Sequence, residues 1–284
     1  MAVDRNSIEA SCDGGLQSRL ERLARDLGLT ISALANHWDS QLVLGPYHAL
    51  TDPLLAGTPQ QKAAHGKRRT LLAAELAAAL GVPTVTGFAG CPDFSAWFPW
   101  PDPQAWASMA PAFRDSWGPL MEAFAQRGVT FAHECHPLQI AYNTETALQA
   151  IEILGGAPAW GYNLDPANLM IAGVDPVLFV SLLSGRIHNV HAKDHETVAH
   201  NAARSGTMAQ GAWGRLDRGF RFRVPGWGDL NWHRLLTELH MQGYDGTVSL
   251  ENEDPTMGMA EGVAKGLAYL RPLLLSTRPE AEWW

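Results

Sequence analysis

The chain has 284 residues, a hydrophobic fraction of 46% and a formal net charge of −8. This length is enough for one large domain, and the composition is that of an ordinary globular protein. The acidic balance argues against a broad nucleic-acid-binding surface, and no apolar run reaches the length of a membrane-spanning helix.

Two further features of the sequence concern the compartment. The N-terminal residues lack the apolar core of a secretory signal. The three cysteines, Cys12, Cys91 and Cys135, include no CxxC pair, which predicts reduced thiols rather than disulfides or a zinc site. We therefore expect a cytoplasmic protein without a nucleic-acid or membrane partner.

Strand-like apolar runs alternate with helical patterns from one end of the chain to the other. Strands are predicted at Ser7–Ser11, Thr30–Ala35, Pro83–Phe88, Val129–Glu134, Trp160–Asp165, Ile187–Ala192 and Thr247–Glu251. Helices are predicted at about 16–27, 59–80, 103–127, 144–154, 175–184, 231–242 and 258–274. The alternation predicts an α/β fold, a parallel barrel of the (β/α)₈ TIM type.

Seven predicted strands are one fewer than such a barrel contains. Either the barrel lacks its first βα unit, or the N-terminus adds a strand that its sequence does not reveal. We predict a single TIM-barrel domain over residues 1–284, with long βα loops at about 89–103 and 193–229. Loops of this length in a compact domain are usually functional.

Four of the predicted strands end at a carboxylate or an imidazole, namely Glu134, Asp165, His191 and Glu251. They lie about 30, 26 and 60 residues apart, which leaves room for a helix between successive strands. The active site of such a barrel lies at the carboxyl ends of its strands, where these side chains would converge. Three carboxylates and one imidazole suit Mn²⁺, Mg²⁺ or a similar divalent ion. The sequence therefore indicates a metal-dependent enzyme.

Five motifs make the interpretation more specific. They are His-Glu-Cys-His-Pro at 133–137, Asn-Leu-Asp-Pro-Ala-Asn-Leu at 163–169, His-Asn-Val-His-Ala-Lys-Asp at 188–194, Pro-Gly-Trp-Gly-Asp-Leu-Asn-Trp at 225–232 and Gly-Tyr-Asp-Gly-Thr-Val-Ser-Leu-Glu-Asn-Glu-Asp at 243–254. In this order they resemble the sugar phosphate isomerase/epimerase superfamily of xylose isomerase-like barrels. That superfamily includes ketose 3-epimerases, inosose-processing enzymes, C-glycoside deglycosidase α-subunits and endonuclease IV. The resemblance covers nearly the whole chain from residue 30.

The resemblance implies a role for each of the four strand-end residues. In the epimerase branch a Glu, an Asp, a His and a Glu on successive strands hold one metal ion, and they match Glu134, Asp165, His191 and Glu251. The two glutamates there also carry protons. Such an ion polarises a carbonyl and stabilises the enediolate that forms when a neighbouring C–H loses its proton. We expect one divalent ion, Mn²⁺ first, with Mg²⁺, Co²⁺ or Zn²⁺ as alternatives.

Further residues are expected to assist. His136 shares its strand phase with Glu134, whereas His188 is out of phase with His191 and is excluded as a ligand. We expect His136 to be an auxiliary catalytic base; in the branch that cleaves carbon–carbon glycosides, a His in this Glu-x-His-Pro setting looks like the general base. Tryptophan faces suit a sugar or an aromatic aglycone. The expected substrate contacts are Arg223, Lys193, Asn168, His37, Trp97 and Trp100.

Structural roles remain alternatives for these residues. Strand-end carboxylates also cap helices or pair with Arg, and the tryptophans also suit a barrel cover or a subunit interface. Purely structural side chains remain alternatives at His37, His136 and Arg223. A surface ion pair remains an alternative for Lys193 and Asp194.

One position departs from the family pattern. Where many relatives have Asp-x-x-His after the second ligand strand, this chain has Asp165-Pro-Ala-Asn168. An asparagine can hydrogen-bond a hydroxyl but is a poor ligand for a second metal, which argues against a multi-metal DNA-repair enzyme. Two later acids, Glu253 and Asp254, are expected in a solvated turn.

The expected function is that of a divalent-metal-dependent isomerase or epimerase that acts on a keto-sugar or cyclic polyol by proton abstraction next to a carbonyl. The closest alternative is a lyase that cleaves a 3-keto-glycoside together with a small partner subunit. A metal-dependent AP endonuclease and a non-catalytic sugar-binding subunit are weaker alternatives. We expect a small carbohydrate substrate, and either a homo-oligomer or a heteromer with the small subunit.

Overall fold

The chain forms two compact units. A computed structural model describes residues 15–212, 215–275 and 277. The first unit is Met1–Asn163 and the second is Leu164–Trp284. The predicted strand Ser7–Ser11 lies outside the described residues, and the single domain over 1–284 stays a prediction.

The first unit contains a parallel sheet and the helices that connect its strands. The strands are β1 (Leu34–Ala35), β2 (Thr84–Gly87), β3 (Thr130–Glu134) and β4 (Trp160–Leu164), and they pair in that order. The last residue of β4 already belongs to the second unit. The helices are α1 (Gly15–Asp26), α2 (His37–Ser40), α3 (Pro59–Leu80), α4 (Ala110–Gln126) and α5 (Thr144–Ile153), with 3₁₀ turns at Gln41–Val43, Phe94–Trp97 and Ala107–Met109.

Local sequence explains where the long helix α3 begins and ends. Thr58 and Gln61 form a reciprocal capping box, and Pro59 occupies the first helical position. At the other end Gly81 has a φ of 67°, a left-handed conformation that ends helices and that glycine adopts without strain. The helix therefore spans residues 59–80, as the sequence predicts.

Aromatic side chains fill the space between α4 and the sheet. Trp117 of α4, Phe131 of β3 and Trp160 of β4 are fully buried, and their ring centroids lie between 4.5 and 5.7 Å apart. The indole Nε1 of Trp117 donates to the carbonyl oxygen of Ala89 at 3.1 Å. This bond ties the start of the 89–103 loop to the core.

The second unit combines a parallel strand pair with an antiparallel hairpin. β5 (Ile187–Ala192) pairs in parallel with β8 (Val248–Leu250), and β6 (Asp194–Thr197) pairs antiparallel with β7 (Phe220–Arg223). The helices are α6 (Pro166–Ile171), α7 (Pro176–Leu182), α8 (Ala199–Ser205), α9 (Trp232–Met241) and α10 (Met259–Leu270), with a 3₁₀ turn at Arg271–Leu273. A small apolar cluster of Ala167, Ile171, Phe220 and Phe222 is buried in this unit.

Most predicted elements match the described ones within a few residues. The segment 193–229, between β5 and the helix Trp232–Met241, also contains β6, α8 and β7, which were not predicted. Asp-His-Glu-Thr at 194–197 has no apolar alternation, so its strand depends on pairing with Phe220–Arg223. The short helix α6 was also not predicted. None of the helices in the described ranges is both long enough and apolar enough to cross a membrane.

Candidate active site

Glu134 is the last residue of β3 and is held by two neighbours in the first unit. Its Oε2 accepts a hydrogen bond from Asn163 Nδ2 at 2.6 Å and lies 3.1 Å from His37 Nε2. The β3–β4 register places Glu134 opposite Asn163, and paired residues present their side chains to the same face of a sheet. Only 4% of Glu134 is exposed, so these contacts offset the cost of burying the carboxylate.

Two histidines lie on either side of one phenylalanine near this carboxylate. The His37 and Phe88 rings meet edge to face at 4.8 Å, and the His136 ring lies 5.4 Å from the same phenylalanine. His136 Nδ1 is 2.6 Å from the carbonyl oxygen of Pro137, an atom that can only accept. The Nδ1 must therefore carry the proton, which leaves Nε2 as the basic nitrogen of a neutral His136.

His133, one residue before Glu134, is structural. Its Nε2 donates to the carbonyl oxygen of Ala141 at 2.8 Å, and its Nδ1 accepts from the amide of Ala89 at 3.2 Å. Complete burial lowers the pKa of His133 to about 4, so the ring is neutral near pH 7.

Asp165 follows β4 and serves two purposes in the second unit. Its Oδ1 accepts from the backbone amides of Ala167 and Asn168 at 2.9 and 3.2 Å, which caps helix α6. Its Oδ2 accepts from Asn168 Nδ2 at 2.9 Å and lies 2.7 Å from Lys193 Nζ. The capping alternative is therefore correct for one oxygen of Asp165, while the other oxygen faces a cation.

Lys193 lies at the centre of an acidic group. Its Nζ is 2.7 Å from Asp165, 3.0 Å from Glu251 and 3.2 Å from Glu253, and only 3% of the residue is exposed. The same Glu251 oxygen, Oε2, is 3.1 Å from His191 Nδ1. A carboxylate oxygen of Asp165 and a ring nitrogen of His191 lie within 4.8 Å of each other. Three carboxylates thus surround the single positive charge of Lys193, and the His191 imidazole contacts one of them. We call Asp165, His191, Glu251 and Glu253 the acidic group.

Asp194 follows Lys193 but has a different environment. It is fully buried and accepts from the amides of His195, Gly226 and Leu230 and from the indole of Trp232, at 2.8 to 3.1 Å. Three of these four donors, those of Gly226, Leu230 and Trp232, tie the segment 225–232 to the residue that follows Lys193. The surface-pair alternative is therefore wrong for Lys193 and Asp194, because both are buried.

Arg223, Asp254 and Glu196 form an ion-pair network in the second unit. Arg223 Nε donates to Asp254 Oδ2 at 2.9 Å, and its Nη1 donates to Glu196. Burial acts to raise the pKa of Asp254, but hydrogen bonds from Thr256, Arg223 and Val224 outweigh it and lower that pKa below its usual value. The solvated turn expected at Asp254 is wrong because the side chain is enclosed; Glu253 remains half exposed.

The loop at about 89–103 in the first unit, which we call the aromatic loop, presents tryptophans to solvent. Trp97 is 51% exposed and Trp100 is 79% exposed. Phe94 anchors the loop by edge contacts with Trp106 and Tyr142, at 6.3 and 5.4 Å. Large apolar side chains at this level of exposure often mark a binding surface.

Residues 6–273 match the family described as xylose isomerase-like TIM barrel. The chain belongs to this family. Membership confirms the predicted fold class and the resemblance to the sugar isomerase/epimerase superfamily. In a TIM barrel the carboxyl ends of the strands carry the active site, and Glu134, Asp165, His191 and Glu251 all stand at such ends.

A relative from Bacillus subtilis extends the comparison. The uncharacterized protein YfiH of Bacillus subtilis (strain 168) is 32% identical over 159 residues, which are 55% of this chain and 50% of that protein. The aligned part of the chain thus spans about half the length of this curated relative.

Solved structures share the fold at low sequence identity. The 3-keto-D-glucoside 4-epimerase YcjR from E. coli has a TM-score of 0.67 at 15% identity, over 95% of this chain and 88% of that chain. The probable 3-DHS dehydratase AsbF of Bacillus anthracis has a TM-score of 0.63 at 18% identity, over 92% and 85%. This family fold therefore carries both epimerases and dehydratases.

The structure also identifies neighbours that sequence analysis did not assign to the site. Asn163 holds Glu134, and Glu253 contacts Lys193. The strand phase offered a signal for both, since Asn163 lies two residues before Asp165 and Glu253 two residues after Glu251.

Proposed function

We propose that this protein is a divalent-metal-dependent isomerase or epimerase that acts on a keto-sugar or cyclic polyol by proton abstraction next to a carbonyl. The observation that carries the proposal is the acidic group, in which three carboxylates surround one cation and an imidazole contacts one of the carboxylates. Family membership supports it, and the same fold is found in a sugar epimerase, the 3-keto-D-glucoside 4-epimerase YcjR.

The donor atoms of the acidic group fit a hard divalent ion. Carboxylate oxygens with one imidazole nitrogen suit Mn²⁺, Mg²⁺ and similar ions. We assign Asp165, His191 and Glu251 as ligands, and Glu134 as the fourth ligand because the strand ends of a TIM barrel converge. When bound, such an ion withdraws electron density from a carbonyl and stabilises negative charge that develops on its oxygen. One ion per chain, Mn²⁺ first, completes the proposal.

Two carboxylates are the proposed proton carriers. Asn163 and His37 orient Glu134, and His191 orients Glu251. One glutamate would remove the proton from the carbon next to the carbonyl, and the other would return a proton to the opposite face or to the neighbouring carbon. Return of the proton to the opposite face of the same carbon is epimerisation, and return to the neighbouring carbon is isomerisation.

Exchange of substrate hydrogen with solvent tests this proposal. The Mn²⁺-loaded protein is incubated in heavy water with a panel of ketoses, inososes and 3-keto-glucosides, and deuterium uptake is followed by NMR. We expect uptake next to the carbonyl of at least one compound, and its loss in Glu251→Gln with substrate binding retained. A fully active Glu251→Gln would contradict the assignment.

Metal content provides a second test and a matched control. Elemental analysis is expected to find about one divalent ion per chain, which the Asp165→Asn/His191→Ala double variant does not retain. Glu261→Gln is the control and should leave metal content unchanged, because Glu261 is an exposed residue that pairs with Lys265.

A lyase that cleaves a 3-keto-glycoside with a small partner subunit is the second candidate. It is favoured by the exposed tryptophans at 97 and 100, which offer faces to an aglycone, and by the basic Nε2 of His136. This candidate predicts that an aryl 3-keto-glucoside releases its aglycone and that His136→Asn abolishes the release. Exchange in free ketoses without any release favours the epimerase.

The remaining substrate contacts are part of the same proposal. Lys193, Asn168 and Arg223 make ion pairs or hydrogen bonds within the second unit, and His37 contacts Glu134. In these positions the four side chains would hydrogen-bond either the neighbouring carboxylates or a sugar hydroxyl. We also propose a cytoplasmic location and either a homo-oligomer or a heteromer with the small subunit.

A further inference from the structure

The ammonium of Lys193 lies among the carboxylates of Asp165, Glu251 and Glu253. These three contacts lie at 2.7, 3.0 and 3.2 Å, and the same Nζ lies over the Phe222 ring, 4.6 Å from its centroid. An enclosed ammonium is costly unless acids pair with it, and here they do.

We propose that Lys193 is an internal counter-ion of the metal site. It neutralises the acidic group while no metal is bound, and it moves toward Glu253 when a divalent ion takes Asp165 and Glu251. The inference rests on the proposed function, because it needs a metal at this site.

The Lys193 ammonium and a divalent metal ion would compete for the same carboxylate oxygens of the acidic group. Asp165 Oδ1 is committed to the backbone amides that begin α6, so Oδ2 is the oxygen that faces a cation. Lys193 contacts this Oδ2, and it also contacts Glu251 Oε2, the oxygen next to His191. A divalent ion on the same oxygens would repel the ammonium at short range. Metal binding therefore requires the lysine to leave.

Glu253 is the partner that can keep the displaced lysine. Its carboxylate already lies 3.2 Å from Lys193 Nζ and is 48% exposed, so the pair can shift toward solvent. A lysine side chain has a flexible four-carbon stem, which allows the ammonium to move while the backbone stays in place.

Mn²⁺ titration of the full-length protein by calorimetry tests the inference with three variants. Lys193→Met keeps the stem and removes the charge, so its Kd for Mn²⁺ should fall at least about tenfold. Glu253→Gln removes the partner of the displaced lysine, so its Kd should rise severalfold. In the Lys193→Met/Glu253→Gln double variant, the Kd should equal that of Lys193→Met, because the effect of Glu253 acts through the lysine.

Two control variants test whether the effect depends on the charge of Lys193 and whether any lysine at the surface would give it. Lys193→Arg retains the charge and should show no gain in Mn²⁺ affinity. Lys265→Met removes a surface lysine that pairs with Glu261 and should match the wild type. Without metal, Lys193→Met should have a Tm lower by about 5 °C, because three acids lose their cation. Saturating Mn²⁺ should then raise its Tm more than that of the wild type.

The outcomes distinguish this inference from the proposed function. Equal or weaker Mn²⁺ binding by Lys193→Met, while the wild type binds, overturns the counter-ion role. A Glu253→Gln effect that persists without the lysine makes Glu253 a metal ligand and overturns the displacement step. Failure of both the wild type and Lys193→Met to bind Mn²⁺, Mg²⁺, Co²⁺ or Zn²⁺ overturns the proposed function itself.

Discussion

Two strand ends hold their carboxylates in different ways. In the first unit, Glu134 accepts a hydrogen bond from the Asn163 amide and lies 3.1 Å from the His37 imidazole. In the second unit, Asp165, Glu251 and Glu253 share one lysine. An amide donor aligns a carboxylate and leaves it able to accept a proton, whereas an ammonium neutralises it. From this contrast we propose that Glu134 carries a proton and that the acids of the second unit supply negative charge for a cation.

Replacing Glu134 or Glu251 separately should have the largest effect on the rate of exchange and tests whether the two carboxylates differ. Glu134→Gln and Glu251→Gln should each lower solvent exchange by about 10²- to 10⁴-fold, since each removes one proton carrier. Mn²⁺ saturation must be verified for each variant, so that lost chemistry is distinguished from lost metal. An active Glu134→Gln would mean that the neutral donors play only a structural part.

Removing the amide that orients Glu134 should have a smaller effect. In Asn163→Ala the carboxylate loses its 2.6 Å hydrogen bond, and we expect kcat to fall about 10- to 100-fold, as for partners that orient a metal ligand. Steady-state kinetics and metal titration measure the effect. Asn163→Gln, which keeps the amide group, is the comparison variant. An unchanged kcat would show that His37 alone is sufficient.

The ion pair of Asp254 should make the free energy of unfolding depend on pH. Because the folded pKa of Asp254 is lowered, its contribution to stability is present above the unfolded pKa of about 3.9 and is lost as pH falls through the folded value. At pH 7, Asp254→Asn should be less stable by about 1–3 kcal/mol. Urea unfolding from pH 7 to pH 3 should show this difference shrinking below about pH 4. Asp115→Asn, at an exposed pair, should show no such dependence.

The smallest effect on stability is expected at the aromatic loop. Trp100→Ala should change the free energy of unfolding by no more than about 0.5 kcal/mol, because the side chain is 79% exposed. Its KM for an aryl keto-glycoside should rise severalfold, with KM for a free ketose unchanged. Equal effects on both substrates would remove the argument for aglycone binding.

Periodicity predicted the fold well where strands alternate with helices in sequence. β5 spans Ile187–Ala192 as predicted, and α3 spans the predicted residues 59–80. The hairpin of β6 and β7 was missed because its stability depends on pairing between segments about 25 residues apart rather than on local pattern.

For the site, sequence gave the candidate residues but not their environments. The phase of β5 puts Lys193 on the same side as His191, and Asp194 on the opposite side. The phase does not predict that both side chains are buried, because burial depends on the residues that pack against them. The donors to Asp194 lie 32 to 38 residues away, except for the adjacent amide, and Arg223 lies 31 residues before Asp254. Long-range contacts of this kind decide whether an acid is solvated or enclosed.

The bonds around Asp194 determine which loop of this protein can change during evolution. A side chain at Gly228 would collide with the carboxylate of Asp194 and the carbonyl oxygen of His195, so that position accepts only glycine. We therefore expect the turn at Gly228 to vary little among relatives. The exposed side chains of the 93–102 segment should accept substitution more readily. New substrate preferences in relatives of this chain should then arise through the aromatic loop.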